Sequence, residues 1–213
     1  MVLMPEKALW LPEDRILVIG DLHFGKANHY RRAGLPVPTL AAIRNAENLI
    51  ELLRKTDPLR TIFLGDLFHS HYNDDWEAVG QIVRHFPATH FELVIGNHDI
   101  MSEQQYLRQG ISVSQETRIG AFLLTHEPMS HDEVPRGIVN VAGHLHPGAR
   151  LEGRGKQSMV LPCFWQRDRQ FILPAFGSLT GLGTILPSAN DIVYLVANGN
   201  VLVWDVLKMS QLQ

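Results

Sequence analysis

The chain has 213 residues, 45% hydrophobic and 8% aromatic, with a formal net charge of −3. That size and balance predict one packed domain over residues 1–213. They exclude a strongly basic nucleic-acid-binding module, and the apolar runs fall well short of the roughly 20 residues that cross a bilayer.

Residues 1–10 contain Pro5, Glu6 and Lys7 and lack the apolar stretch of a secretory signal, so a cytoplasmic setting is expected. One event then recurs five times along the chain: a short run rich in Ile, Val, Leu and Phe, read as a buried strand, ends abruptly in a polar residue. Ile16–Gly20 leads into Asp21-Leu-His23. Between Thr39 and Lys55, Leu40, Ile43, Ala46, Leu49, Ile50 and Leu53 recur at helical spacing behind a possible N-cap at Thr39. Thr61–Gly65 leads into Asp66, and a second helix is expected over Asp74–Phe86. Phe91–Ile95 leads into Gly96-Asn97-His98-Asp99. A short helix over Ser102–Arg108 follows, its positive N-terminus expected to point at any site there. Ala121–Thr125 leads into His126-Glu127, and Ile138–Ala142 into Gly143-His144-Leu145-His146. Beyond residue 150, strands are expected over 160–165, 170–173, 191–196 and 201–206, with Asn198-Gly199 as a hairpin turn. The predicted fold is α/β (α+β), the second half supplying the second sheet of a sandwich with helices outside.

Four of the five junctions place a glycine just before the polar residue, where a missing Cβ lets a ligand come close. Sites in α/β sheets form beyond the carboxyl ends of strands, so Asp21, His23, Asp66, Asn97, His126, His144 and His146 are expected to converge. The lone Cys163 excludes a thiolate cluster, which leaves nitrogen and oxygen as ligands. Two divalent ions about 3.5–4 Å apart clamp the attacking and leaving oxygens of a phosphoryl displacement and acidify a bridging water. Two dications against two carboxylates leave 4 − 2 = +2, suited to an anionic ester. Four imidazoles favour Mn, Fe or Zn over Ca or Mg. In Asp21-x-His23 and His144-x-His146, an extended backbone would turn both side chains to one side.

These motifs, in this order from residue 20 to 146, resemble the calcineurin-like metallophosphoesterases. The resemblance implies a four-layer α-β-β-α sandwich of two mixed sheets flanked by helices. It implies that Asp21, His23, Asp66 and His146 hold one metal and Asp66, Asn97, His126 and His144 the other, with Asp66 shared. A hydroxide bridging the metals then attacks phosphorus in line. His98 contacts the phosphate and protonates the leaving oxygen, and Asp99 orients His98. Further segments, Asp21-Leu-His-Phe-Gly-Lys26, Arg32-Ala-Gly-Leu-Pro-Val-Pro38, Leu64-Gly-Asp-Leu-Phe-His-Ser70, His126-Glu-Pro128, Leu161-Pro-Cys-Phe-Trp165 and Leu173-Pro-Ala-Phe-Gly177, resemble the ligase-associated DNA-damage-response endonucleases. That branch implies a metal-dependent phosphodiesterase acting on DNA, encoded near an ATP-dependent DNA ligase and a helicase and so functionally associated with them; Mn²⁺ or a similar ion is the expected metal.

Around the core set, Lys26, Arg31, Arg32, His69 and His71 are candidate substrate contacts, weighed against an ordinary solvated face and loop. His29 follows the first motif closely, while His85, His90 and His131 are read as structural or surface. Phe164 and Trp165 lie in a basic stretch that could stack single-stranded nucleic acid or pack the second sheet. The acidic net charge keeps a small diester, such as a cyclic nucleotide or a nucleotide-derived metabolite, open as the alternative substrate. A non-catalytic scaffold would have shed metal ligands, and here the set is complete.

Overall fold

The computed structural model describes residues 1–26, 39–68, 74–153 and 157–204. Its first sheet contains β1 (Val2–Met4), β2 (Ala8–Leu11), β3 (Ile16–Gly20), β4 (Arg60–Leu64), β5 (His90–Val94) and β6 (Ile111–Ser114), hydrogen-bonded in that order. β3 to β6 run parallel, which requires long crossovers. Helices α1 (Thr39–Thr56), α2 (Asp74–His85) and the short α3 (Glu103–Arg108) lie within those connections. Gly20 is level with Leu64, and Leu64 with Val94, so the segments carrying Asp21, Asp66 and Asn97 leave the sheet at one edge.

The second sheet holds β7 (Thr117–Ile119), β8 (Phe122–Thr125), β9 (Val139–Ala142), β10 (Pro147–Glu152), β11 (Ser158–Arg167), β12 (Gln170–Ile172), β13 (Gly183–Thr184), β14 (Ile192–Ala197) and β15 (Asn200–Trp204). It too mixes parallel and antiparallel pairs. Thr125 is level with Ala142 on the parallel pair β8–β9, so His126 and His144 also emerge side by side. The β14–β15 hairpin turns at Asn198 and Gly199, both at positive φ (49° and 71°), as a tight two-residue hairpin turn demands. Strands β1, β2, β6, β7, β10 and β13 were not expected from periodicity; the first two are short and separated by a turn in which Lys7 has φ 65°.

Period-two alternation distributes the strand side chains between two cores. Leu17 and Ile19 of β3, with Phe63 and Leu93, face Leu49, Leu53, Trp76 and Val79 of the helices. Val18, Ile62, Leu64 and Val94 face Leu124, Val141, Phe164, Phe171 and Leu173 of the second sheet. Strands buried on both faces explain the nearly continuous apolar runs in the sequence. Phe164 and Trp165 are therefore packing residues. The first stacks on Phe171 at 6.0 Å, and the second faces the other side of the sheet, donating Nε1–H to Asp191 Oδ2 at 2.8 Å. Cys163 is fully buried beside them, and burial pushes its thiol up to about 12. Among the described residues, no helix is long and apolar enough to cross a membrane.

Trp76 ties α2 to the edge where the polar residues emerge. It is 1% exposed, and its ring lies 5.2 Å from both Phe68 and Tyr106. Trp76→Ala is expected to cost about 3–5 kcal/mol of folding stability, read as a lower urea midpoint at unchanged slope.

Candidate metal centre

All seven residues marked by the strand-end pattern meet at the common edge of the two sheets. Asp21, His23, Asp66 and His126 form a buried floor, with Asp21 fully enclosed. His144 and His146 are half-buried, and Asn97 and His98 are exposed at the mouth. His146 Nε2 lies 3.2 Å from Asp21 Oδ1, and His23 Nε2 lies 3.7 Å from Asp66 Oδ2. His126 Nε2 is 3.6 Å from Asp66 Oδ1, 3.0 Å from Asn97 Oδ1 and 3.1 Å from His144 Nδ1.

The donor set fits divalent cations. Ligand atoms of Asp21, His23 and His146 lie within 4.8 Å of one another, as do those of Asp21, Asp66 and His126. Among the described residues, Asp21 Oδ1 and His146 Nε2 are buried and, although 3.2 Å apart, are not aligned for a hydrogen bond to each other or to another group, a costly arrangement unless a cation takes up their lone pairs. His126 is oriented for the same purpose. Its Nδ1–H donates to the Leu64 carbonyl at 3.0 Å, which leaves the Nε2 lone pair facing the centre.

The backbone corrects one expectation. Asp21 (φ 53°), His23 (49°), Asp66 (50°), His144 (65°) and His146 (46°) all sit in the left-handed region, so neither Asp21-x-His23 nor His144-x-His146 is extended. Each chain turns sharply on leaving its strand, and backbone bonds hold the turn. His23 N–H donates to Asp66 O at 2.8 Å, and Phe24 N–H to Leu67 O at 2.9 Å. His144 N–H donates to Asp21 Oδ2 at 2.9 Å, and His98 N–H to Asp66 Oδ1 at 2.9 Å. Non-glycine residues adopt this conformation at a cost of roughly 1–2 kcal/mol and cluster where function requires it.

Close approach explains two of the glycines. A Cβ on Gly143 would lie 2.5 Å from Asp21 Oδ2, and one on Gly65 would lie 2.1 Å from His126 Nδ1. Gly65 is also at φ 69°. Gly65→Ala is therefore expected to lower stability by about 2–4 kcal/mol and to displace His126. Gly120→Ala, at φ 55° with nothing within 4 Å of the new Cβ, keeps the backbone strain without the clash and should cost roughly 1–2 kcal/mol. Thermal melts of the two variants separate these contributions.

Asp99 is buried and braces two loops. Its Oδ2 accepts from Gly96 N–H at 2.9 Å, and its Oδ1 from Phe68 N–H at 3.2 Å and from the Tyr106 hydroxyl at 3.4 Å. Burial pushes its carboxyl up to about 6 against the backbone bonds that favour the charged form. Tyr106 arrives from α3, whose start is closed locally by Gln105 N–H donating to Ser102 O at 2.9 Å. That helix contributes a buried phenol to the site. His98 stands beside His23, ring centroids 5.8 Å apart. Lys26 is half-buried after the first turn, its amine lowered by burial while the charges of Asp66 and Asp21 act in the opposite direction. His29, Arg31, Arg32, His69 and His71 lie outside the described residues. His90 touches Ser112 Oγ at 3.1 Å and His131 touches Asp168 at 2.6 Å, both on the surface.

Two mixed sheets delivering Asp, His and Asn side chains to one shared edge define a metal-dependent phosphoesterase architecture. A sequence model of calcineurin-like phosphoesterases matches residues 14–162, more than half of the chain, and the chain belongs to that family. It is accordingly a hydrolase acting on phosphoester bonds with divalent metal ions. Among solved structures, it is similar to Pseudomonas putida nuclease MPE at 26% identity and a TM-score of 0.76, covering 95% of this chain and 93% of that one. A protein of unknown function from Aquifex aeolicus matches at 21% identity and a TM-score of 0.42, covering 66% of this chain and 82% of that one. A conserved predicted phosphoesterase from Streptococcus pneumoniae TIGR4 matches at 12% identity and a TM-score of 0.33, covering 88% and 86%. No curated protein sequence matches significantly.

Proposed function

We propose that this chain is a nuclease that hydrolyses phosphodiester bonds in DNA. In this reading Asp21, His23, Asp66 and His146 hold one ion, and Asp66, Asn97, His126 and His144 hold a second. Mn²⁺ is the proposed metal because imidazole-rich ligation with few carboxylates suits it, with Fe or Zn as the competing choices. The observation that carries the reading is the meeting of these seven side chains at one edge, with buried acceptor atoms of Asp21 and His146 left over for a cation. Likeness to a nuclease over 95% of the chain supports a nucleic acid over a small diester.

Bound at that edge, divalent ions supply an acidified water and neutralise the charge of the diester. The chain's own residues do the rest. Asp66 fixes the His98 backbone through its Oδ1, and His98, exposed at the mouth, holds a proton on its ring for the departing oxygen. Asp99 keeps His98 in place through the Gly96 and Phe68 amides. Lys26, half-buried after the first turn and within the field of Asp66 and Asp21, is a proposed phosphate contact, with Arg31, Arg32, His69 and His71 as further ones. The proposed setting is cytoplasmic DNA repair, beside an ATP-dependent DNA ligase and a helicase.

Incubation with Mn²⁺ tests the reading, first on bis-p-nitrophenyl phosphate and then on labelled single-stranded, nicked and duplex DNA beside cyclic nucleotides. Cleavage of DNA is expected. Turnover of cyclic nucleotides with DNA untouched would shift the assignment to a small phosphodiester, and no turnover of any diester would reject phosphodiesterase activity altogether.

A further inference from the structure

We propose that Asn140, in the middle of β9, is a positioning residue that sets the loop carrying His126. The inference rests on His126 being a metal ligand, as read above. Asn140 is fully buried and interrupts an otherwise apolar strand. Its register neighbours are Leu123 on β8 and Gln170 on β12. Every polar function of its side chain is spent on the segment that holds His126. Nδ2 donates to the Leu123 carbonyl at 3.1 Å and to Thr125 Oγ1 at 2.8 Å, while Oδ1 accepts from Met129 N–H at 2.9 Å. The Thr125 hydroxyl in turn donates a hydrogen bond to the Glu127 carbonyl at 2.7 Å. Gln170 Nε2 closes the far end by donating to the Met129 carbonyl. Both ends of the 125–129 segment are thereby tied to one buried amide, with His126 between them.

Packing does this only in part: Met129 rests against the small cluster of Leu123, Val134 and Ile138, while the segment also borders a polar cavity of about 790 Å³ lined by Met129, His131, Arg167, Asp168 and Gln170. On the other side, backbone holds His126 through Nδ1–H to Leu64 O at 3.0 Å and its own carbonyl accepting from Gly143 N–H at 3.0 Å, while its Nε2 faces Asn97 and His144. Loosening of 125–129 would therefore move the Nε2 atom relative to Asn97, His144 and Asp66. Residues that orient a ligand in this way typically change metal affinity by 10–100-fold when removed.

The test is calorimetric titration of the metal-free protein with Mn²⁺, paired with urea unfolding without metal. Asn140→Leu removes all three bonds at similar volume, Thr125→Val removes only the hydroxyl link and is the milder variant should the first fail to fold, and His126→Ala is the reference. The expected result is a roughly tenfold weaker affinity for one ion in Asn140→Leu, a smaller loss in Thr125→Val, and sub-additive losses in the double variant. Wild-type Mn²⁺ affinity in both variants, with only the metal-free stability lowered, would make Asn140 structural and overturn the inference. If His126→Ala itself bound Mn²⁺ like wild type, the ligand assignment would be what fails.

Discussion

Asp66→Asn is expected to lower diester hydrolysis on the order of 10³-fold or more, about 4 kcal/mol of lost transition-state stabilisation, without unfolding the protein. Asparagine has the volume of aspartate and tolerates the left-handed φ of 50° found here. It also keeps an oxygen for the His98 N–H at 2.9 Å. What it removes is the negative charge that lies 3.6 Å from His126 Nε2 and 3.7 Å from His23 Nε2, between ligands assigned to the two proposed ions. Thermal melts give this variant a signature that a folding defect cannot imitate. Without metal, ligand atoms of Asp21 and Asp66 belong to one group within 4.8 Å, and two carboxylates so close oppose each other. Neutralising one should leave the metal-free melting temperature equal to or above that of wild type. Mn²⁺ stabilises wild type by preferential binding to the folded state, and that gain should vanish in Asp66→Asn. A variant that retained the Mn²⁺-dependent rise in melting temperature would show that Asp66 is not a ligand.

The parts legible in the sequence are those in which local pattern and tertiary role coincide. Apolar runs such as Ile16–Gly20 and Thr61–Gly65 are strands because burial on both faces writes a continuous hydrophobic signal. The residues that follow them meet because parallel strands end at one edge. What stayed illegible is set by the backbone and by distant partners. The left-handed turns at Asp21, His23, His144 and His146 leave only a weak trace in residue type, since Asp and His visit this region more often than most residues but still rarely. Tyr106 reaches Asp99 from the following helix, seven residues on, a spacing that proposes no contact by itself. Asn140 did carry a signal, a lone amide inside Val139–Ala142, but the loop it serves becomes visible only when β8 and β9 are paired. The two aromatic residues Phe164 and Trp165 show the opposite case: composition allowed stacking on nucleic acid, and alternation across the sheet assigns them to packing on its two faces.

His98→Ala should separate substrates by their leaving groups. On DNA the departing oxygen is a poor leaving group that needs a proton, and a positioned general acid contributes about 10²–10⁴-fold. The p-nitrophenolate released from bis-p-nitrophenyl phosphate departs without one. The expected loss is therefore at least about 10²-fold on DNA and within about tenfold on the nitrophenyl diester. Stability should hardly change, because His98 is exposed and its anchoring bond to Asp66 is made by the backbone N–H, which alanine retains. Metal affinity should also hold, since no proposed ligand is altered. An equal loss on both substrates would assign His98 to holding the phosphate, because ground-state and transition-state contacts to the non-bridging oxygens are indifferent to the leaving group. A rate that survived on DNA would move the acid elsewhere, and Lys26, half-buried with its ammonium pKa lowered by burial, is the described residue to substitute next.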